Sequence, residues 1–132
     1  MYRDVPKKKM LTVLEVKPGK YPVEIKIEAG LTSLQKAVGG LIEAHPLEQS
    51  VFLLCDDEGK LKGLPWNRAL RKGNEIYDIV AGTFLVIGED GEDFGSLTQE
   101  QVRKYSALFY KPEMFVRTSQ SIICIPVPTE FT

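Results

Sequence analysis

Residues 21–28 read YPVEIKIE, with Val23, Ile25 and Ile27 on one side of a period-two alternation and Glu24, Lys26 and Glu28 on the other. Successive side chains of a strand point to opposite faces, so this is the pattern of a half-buried strand. Residues 10–16, MLTVLEV, come just before it and are apolar on both faces, as expected of a central strand. Pro18-Gly19 marks the turn between them. Such a pair predicts a hairpin near the start of the chain.

The remaining segments extend that sheet. Val51 to Cys55 reads as a buried strand, and Thr83 to Ile87, TFLVI, as another. A brief strand is predicted over residues 41–45, ended by Pro46, and Asp56-Asp57-Glu58-Gly59 is predicted to be a hairpin turn with residues 60–62 returning. Residues 63–70 read as a loop, residues 71–78 as a polar stretch and residues 88–95 as an acidic turn. Gly59 and Gly91 are expected to take positive φ in their turns. Residues 121–127 are strand-like, but Pro126 and Pro128 confine them to an edge.

Two helices are predicted. The first begins near Thr32, where Thr32 and Gln35 have capping-box spacing and Leu34, Ala37, Val38 and Leu41 recur at helical spacing, with Gly39-Gly40 as the stop. The second has Thr98 as N-cap, Gln101 completing the box, and Leu97 and Val102 at the staple positions. Val102, Tyr105 and Phe109 form its buried face. The sum is α+β: a mainly antiparallel sheet with two helices packed on one face.

A chain of 132 residues reads as a single domain, with residues 110–132 as a C-terminal extension carrying the edge strand. It can bury roughly two thirds of its unfolded surface without metal or disulfide staples. A net charge of −1 lacks the basic excess of a nucleic-acid binder. Apolar runs of about five residues fall far short of the ~18–20 of a membrane span, and MYRDVPKKKM has no apolar core of a secretory signal. Cys55 and Cys124 read as buried free thiols of a reducing compartment. With one histidine and no CxxC, no metal and no other cofactor is expected.

Several stretches together carry a family signature: LTVLEVKPGK, LQKAVGGLIEA, DDEGKLKGLPWNRAL and DIVAGTFLVIGEDGEDFGSLT, followed by the second helix. In this order, over roughly residues 10–109, the chain resembles the DUF3846 family, small proteins found mostly in bacteriophages, plasmids and conjugative elements of Gram-positive bacteria. The resemblance implies a mobile-element origin and a location in the host cytoplasm. It brings no catalytic residue. Accessory proteins of such elements often block a host defence protein or sequester its nucleotide signal.

The candidate site is GLPWNRAL, residues 63–70, with the only tryptophan of the chain. Pro65 stiffens the segment. Trp66 offers a stacking face, Asn67 an amide, and Arg68 a bidentate grip on phosphate or carboxylate. Arg71 and Lys72 stand close enough in sequence to meet phosphates. These are parts of a nucleotide site and equally of a protein-binding hot spot. The alternative is purely structural: Trp66 folds onto the core, Asn67 caps a turn and Arg68 pairs with a carboxylate.

The acidic turns do not match the calcium-loop template and read as solvated hairpin chemistry. Glu43 and His45 share a strand face, as an acid–base pair would, but no nucleophile accompanies them. Tyr110, Phe115 and residues 122–125 are surplus apolar surface, which suggests a homodimer. The expected function is a non-enzymatic binding protein that interferes with a host factor. Its partner is a host protein or, as the alternative, a small phosphorylated nucleotide. A small enzyme using His45 or Glu43 as base is the second alternative. Neither membrane nor nucleic acid is expected as a partner.

Overall fold

The computed structural model describes residues 9–127; Lys7, Lys8 and Pro128 lie outside them. Among the described residues the chain runs β1 (Met10–Val16), β2 (Val23–Glu28), α1 (Leu31–Val38), β3 (Ile42–Glu48), β4 (Val51–Asp56), β5 (Trp66–Lys72), β6 (Glu75–Ala81), β7 (Phe84–Asp90), β8 (Asp93–Gly95), α2 (Gln99–Leu108), β9 (Glu113–Arg117) and β10 (Ile122–Pro126). The architecture is α+β and mainly antiparallel. Among the described residues no helix is long and apolar enough to cross a membrane.

The main sheet has the order β2-β1-β7-β4-β3, with β8 hairpinned onto β7. β1 and β2 form the expected hairpin, pairing Leu11 with Ile27 and Val13 with Ile25. β7 sits between β1 and β4, so Phe84, Leu85, Val86 and Ile87 are buried on both faces. That explains the unbroken apolar run of TFLVI.

The helices do not share a face. One face of the sheet presents Leu11, Val13, Leu54, Leu85 and Ile87 to Leu34 and Val38 of α1. The other presents Leu14, Val16, Leu53, Phe84 and Val86 to Val102, Tyr105 and Phe109, on α2 and at its end, and to Leu70 and Val80 of the β5–β6 ribbon. A sheet apolar on both faces needs cover on both, and one helix of eight residues and one of ten supply a layer each.

Local signals fared differently at the two helices. Thr98 accepts from the Gln101 backbone N–H, and the Gln101 side chain accepts from the Thr98 N–H, completing the capping box of α2. At α1 the N-cap is Gly30, and no side chain caps it. The helix starts at Leu31, so Thr32 lies inside the first turn and cannot act as cap. Gly39 closes α1 in the left-handed conformation, its N–H bonded to the Gln35 carbonyl, and Leu41 beyond it is exposed.

Other boundaries also move. β3 runs through Pro46, which an edge strand tolerates. Residues 60–62 do not return as a strand. They coil in successive turns, with Lys62 N–H bonded to the Glu58 carbonyl and Gly63 N–H to the Lys60 carbonyl. Gly91 has φ +64°, whereas Gly59 is required for a different reason: a Cβ there would lie 2.8 Å from the Ala81 carbonyl oxygen. The polar stretch 71–78 contains the end of β5 and the start of β6, and β9 pairs with β10 in a separate ribbon.

Candidate functional site

GLPWNRAL is not a loop over most of its length. From Trp66 it is β5, paired with β6 and laid over the α2 face of the main sheet. Asn67 and Arg68 are sealed inside, at 0% and 1% exposure. Asn67 donates from Nδ2 to the carbonyls of Val16 and Gly82, both at 2.8 Å. Its Oδ1 accepts from Arg68 Nη1 at 2.8 Å. Arg68 donates from Nε to the Phe109 carbonyl at 3.0 Å and from Nη2 to the Lys20 carbonyl at 2.6 Å. Phe109 is the C-cap of α2, so the guanidinium lies at the negative end of a helix. Burial pulls its pKa down, while the field of Glu113 pushes it back up. No carboxylate pairs with it directly among the described residues.

Trp66 is half-buried. Its ring meets Phe115 edge-on at 5.7 Å between centroids, and the Arg117 guanidinium stacks 5.4 Å from its centre. The indole is therefore engaged by β9, and Asn67 and Arg68 brace the scaffold. These three do not present a common binding face.

Arg71 and Lys72 do face outward. They border a cleft of about 490 Å³ between the β5–β6 ribbon, the end of α2 and the start of β9. Lys104, Lys111, Tyr77 and Tyr110 complete its polar and aromatic wall, over an apolar floor that includes Leu70 and Phe109. Arg71 is held by a 2.6 Å ion pair to Glu113, whose other oxygen accepts the Ala69 N–H at 2.8 Å. Lys104 pairs with Glu48 at 2.9 Å, and the Tyr105 hydroxyl donates to the same carboxylate. Those two bonds hold the Glu48 carboxyl below its usual range. Lys72 lies over the Tyr77 ring, 5.3 Å from its centre. Neither Lys72 nor Lys111 pairs with a carboxylate among the described residues. Tyr110 stacks on Tyr21 at 4.8 Å.

Four cations and two exposed tyrosines around a concave apolar floor suit a planar anionic ligand. The sequence reading reached Arg71 and Lys72 but not Lys104, Lys111, Tyr77 or Tyr110. Those come from α2, the segment after it and β6, and only the tertiary fold joins them. A larger concavity of about 690 Å³ lies on the α1 side, beneath the β7–β8 hairpin. Its rim is acidic, with Glu89, Asp90, Glu92 and Asp93, and its one lysine, Lys9, is paired with Asp90 at 2.6 Å.

The acidic turn at residues 56–59 is less solvated than its composition suggested. The Asp56 carboxylate is buried, bonded to Lys62 Nζ at 2.7 Å and to the Glu58 N–H at 2.9 Å. Cys55 is a buried free thiol as expected, and Cys124 is only half-buried. Burial, then the fields of Glu43, Asp78 and Asp56, push the Cys55 thiol up to about 12, so it is no nucleophile near neutral pH.

Fold and cleft together define a small antiparallel α+β protein with a basic, aromatic-walled surface cleft. A family model described as a domain of unknown function, DUF3846, matches residues 10–110, and the chain belongs to that family. β9 and β10 lie outside the matched residues. No curated protein and no solved structure matches the chain.

Proposed function

We propose that this is a non-enzymatic binding protein whose basic cleft takes a small phosphorylated nucleotide. The observation that carries the reading is the meeting of Arg71, Lys72, Lys104 and Lys111 with Tyr77 and Tyr110 around one concavity of ligand size. Tyrosine faces suit a base, and the cations suit its phosphates. In the mobile-element setting that the family resemblance implies, such a protein withholds a signal nucleotide from a host defence system.

Thermal shift with cyclic dinucleotides, ATP and ADP-ribose tests this. A ligand at ~100 times its Kd adds about 2.7 kcal/mol. The shift is expected to shrink in Lys72→Ala and Lys111→Ala proteins that melt normally without ligand. No shift with any nucleotide, or an equal shift with inorganic phosphate alone, counts against the reading.

A second reading, a protein partner, is favoured by the β9–β10 ribbon. Met114 lies opposite Ile125 and Val116 opposite Ile123, and all four are exposed. The ribbon has two strands, so each keeps an unpaired edge. A second copy of the chain, packing its ribbon face to face on this one, would bury that patch. Light scattering of the wild type against Ile123→Lys decides between dimer and monomer.

A further inference from the structure

We propose that Glu43, His45 and Asp78 form a binding site for a divalent transition-metal ion of the zinc type. β3 and β6 bring them together from separate sheets. Glu43 and His45 are two apart on β3, and their cross-strand partners Cys55 and Leu53 belong to the core on the α2 side. Both side chains therefore point to the face over which the β5–β6 ribbon passes, and β6 carries Asp78. His45 Nε2 lies 2.8 Å from Glu43 Oε1 and 4.0 Å from Asp78 Oδ2, and the three ligand atoms fall within 4.8 Å of one another. Ligands around a zinc ion at about 2.0–2.2 Å stand roughly 3–3.6 Å apart. Closing a separation of up to 4.8 Å to that range takes a relative movement of about 1.2 Å, within reach of partly exposed side chains.

Asp78 is prepared for the role. Its Oδ1 is fixed by Lys60 Nζ at 2.6 Å and by the Ile79 N–H at 2.8 Å, which leaves Oδ2 for an ion. Partners of this kind hold a ligating carboxylate in place. The surrounding cavity, about 330 Å³, is lined by Glu43, Asp56, Asp57 and Asp78 against the single lysine Lys60. One imidazole with two carboxylates is a borderline donor set. It suits Zn²⁺ or Mn²⁺, with Zn²⁺ the tighter, and lacks the six or more oxygens that Ca²⁺ takes. Three protein ligands leave a position open to water or to a further ligand.

Calorimetric titration of the full, untagged, chelator-stripped chain is the test. One equivalent of Zn²⁺ is expected to bind, Mn²⁺ more weakly, and Mg²⁺ and Ca²⁺ not at the same concentrations. His45→Gln and Asp78→Asn should each weaken Zn²⁺ at least tenfold, while Asp90→Asn, in the other acidic patch, leaves it unchanged. His45 is the only histidine, so its imidazole proton resonances report the site in the wild type without substitution. They should shift with Zn²⁺ and broaden with substoichiometric Mn²⁺. Unmoved imidazole resonances, equal binding of Mg²⁺, or undiminished affinity in folded His45→Gln protein would overturn the proposal.

Discussion

Arg68 and Arg71 stand on one strand, on either side of a register shift between Leu70 and Arg71, in opposite surroundings. Arg68 has lost nearly all contact with water and bonds to backbone carbonyls and the Asn67 amide, without a counter-charge of its own. Arg71 keeps 37% of its side chain exposed and pairs with a carboxylate that is 4% exposed. The same chemical group therefore serves two purposes. Inside, it ties the end of α2 to the β1–β2 turn through Phe109 and Lys20. Outside, it lends charge to a cleft. A guanidinium in a sequence does not declare which of these it does; its neighbours in space decide.

The largest test of the contrast is Arg68→Met. The methionine fills much of the volume but leaves the Phe109 and Lys20 carbonyls and Asn67 Oδ1 without donors. Unsatisfied buried groups cost about 1–3 kcal/mol each, so a loss of about 3 kcal/mol or more is expected in urea unfolding. Arg71→Met should cost less, about 1–2 kcal/mol, because the Glu113 carboxylate it leaves is nearly buried but keeps the Ala69 N–H. Equal losses would erase the distinction. Asn67→Ala comes next. It strips a donor from each of two carbonyls, while Arg68 Nη1 keeps the Asn67 backbone carbonyl, for an expected loss of about 2 kcal/mol.

An acid titration sharpens the contrast from another side. Asp56 is sealed but keeps a counter-charge at the surface, Lys62, where Arg68 is sealed without one. The hydrogen bond from Lys62 holds the Asp56 carboxyl below its ordinary value of 3.8, against the opposing effect of burial. A folded pKa below the unfolded one gives stability that is full above the unfolded pKa and is lost as pH falls through the folded one. The melting temperature should therefore drop below about pH 4, and Asp56→Asn should flatten that part of the curve. Arg68→Met should leave its shape unchanged, since arginine stays charged throughout that range.

What could be read in the chain beforehand follows from the range of each interaction. The capping box of α2 and the β1–β2 hairpin depend on residues a few positions apart, and both formed as read. β6 was missed because EIYDIVA mixes exposed Ile76 and Tyr77 with buried Val80 and Ala81, which blurs its alternation. β9 was missed because Met114 and Val116 are apolar yet face outward. The burial of Arg68 was not legible, because its acceptors lie 41 and 48 residues away. Arginine is almost never buried unless paired, so the prior pointed outward. Arg71 and Lys72 follow that arginine closely in sequence and reach the surface because β5 runs past the core edge. Asp78 could not be joined to Glu43 and His45 without knowing that β6 crosses β3's side of the sheet.

The smallest expected change in stability carries most of the information about the cleft. Lys72 is exposed, lies over Tyr77 and holds no ion pair among the described residues. Its replacement by alanine should move stability within about ±0.5 kcal/mol, as for surface positions in general. If the cleft takes an anion, the same substitution should weaken nucleotide binding several-fold and flatten its salt dependence, because one screened charge has gone. Arg71→Ala should weaken it too, though Glu113 already offsets part of that charge. A Lys72→Ala protein that binds as tightly as the wild type would leave the outer half of β5 as passive as the inner half, and the contrast between them would be one of burial alone.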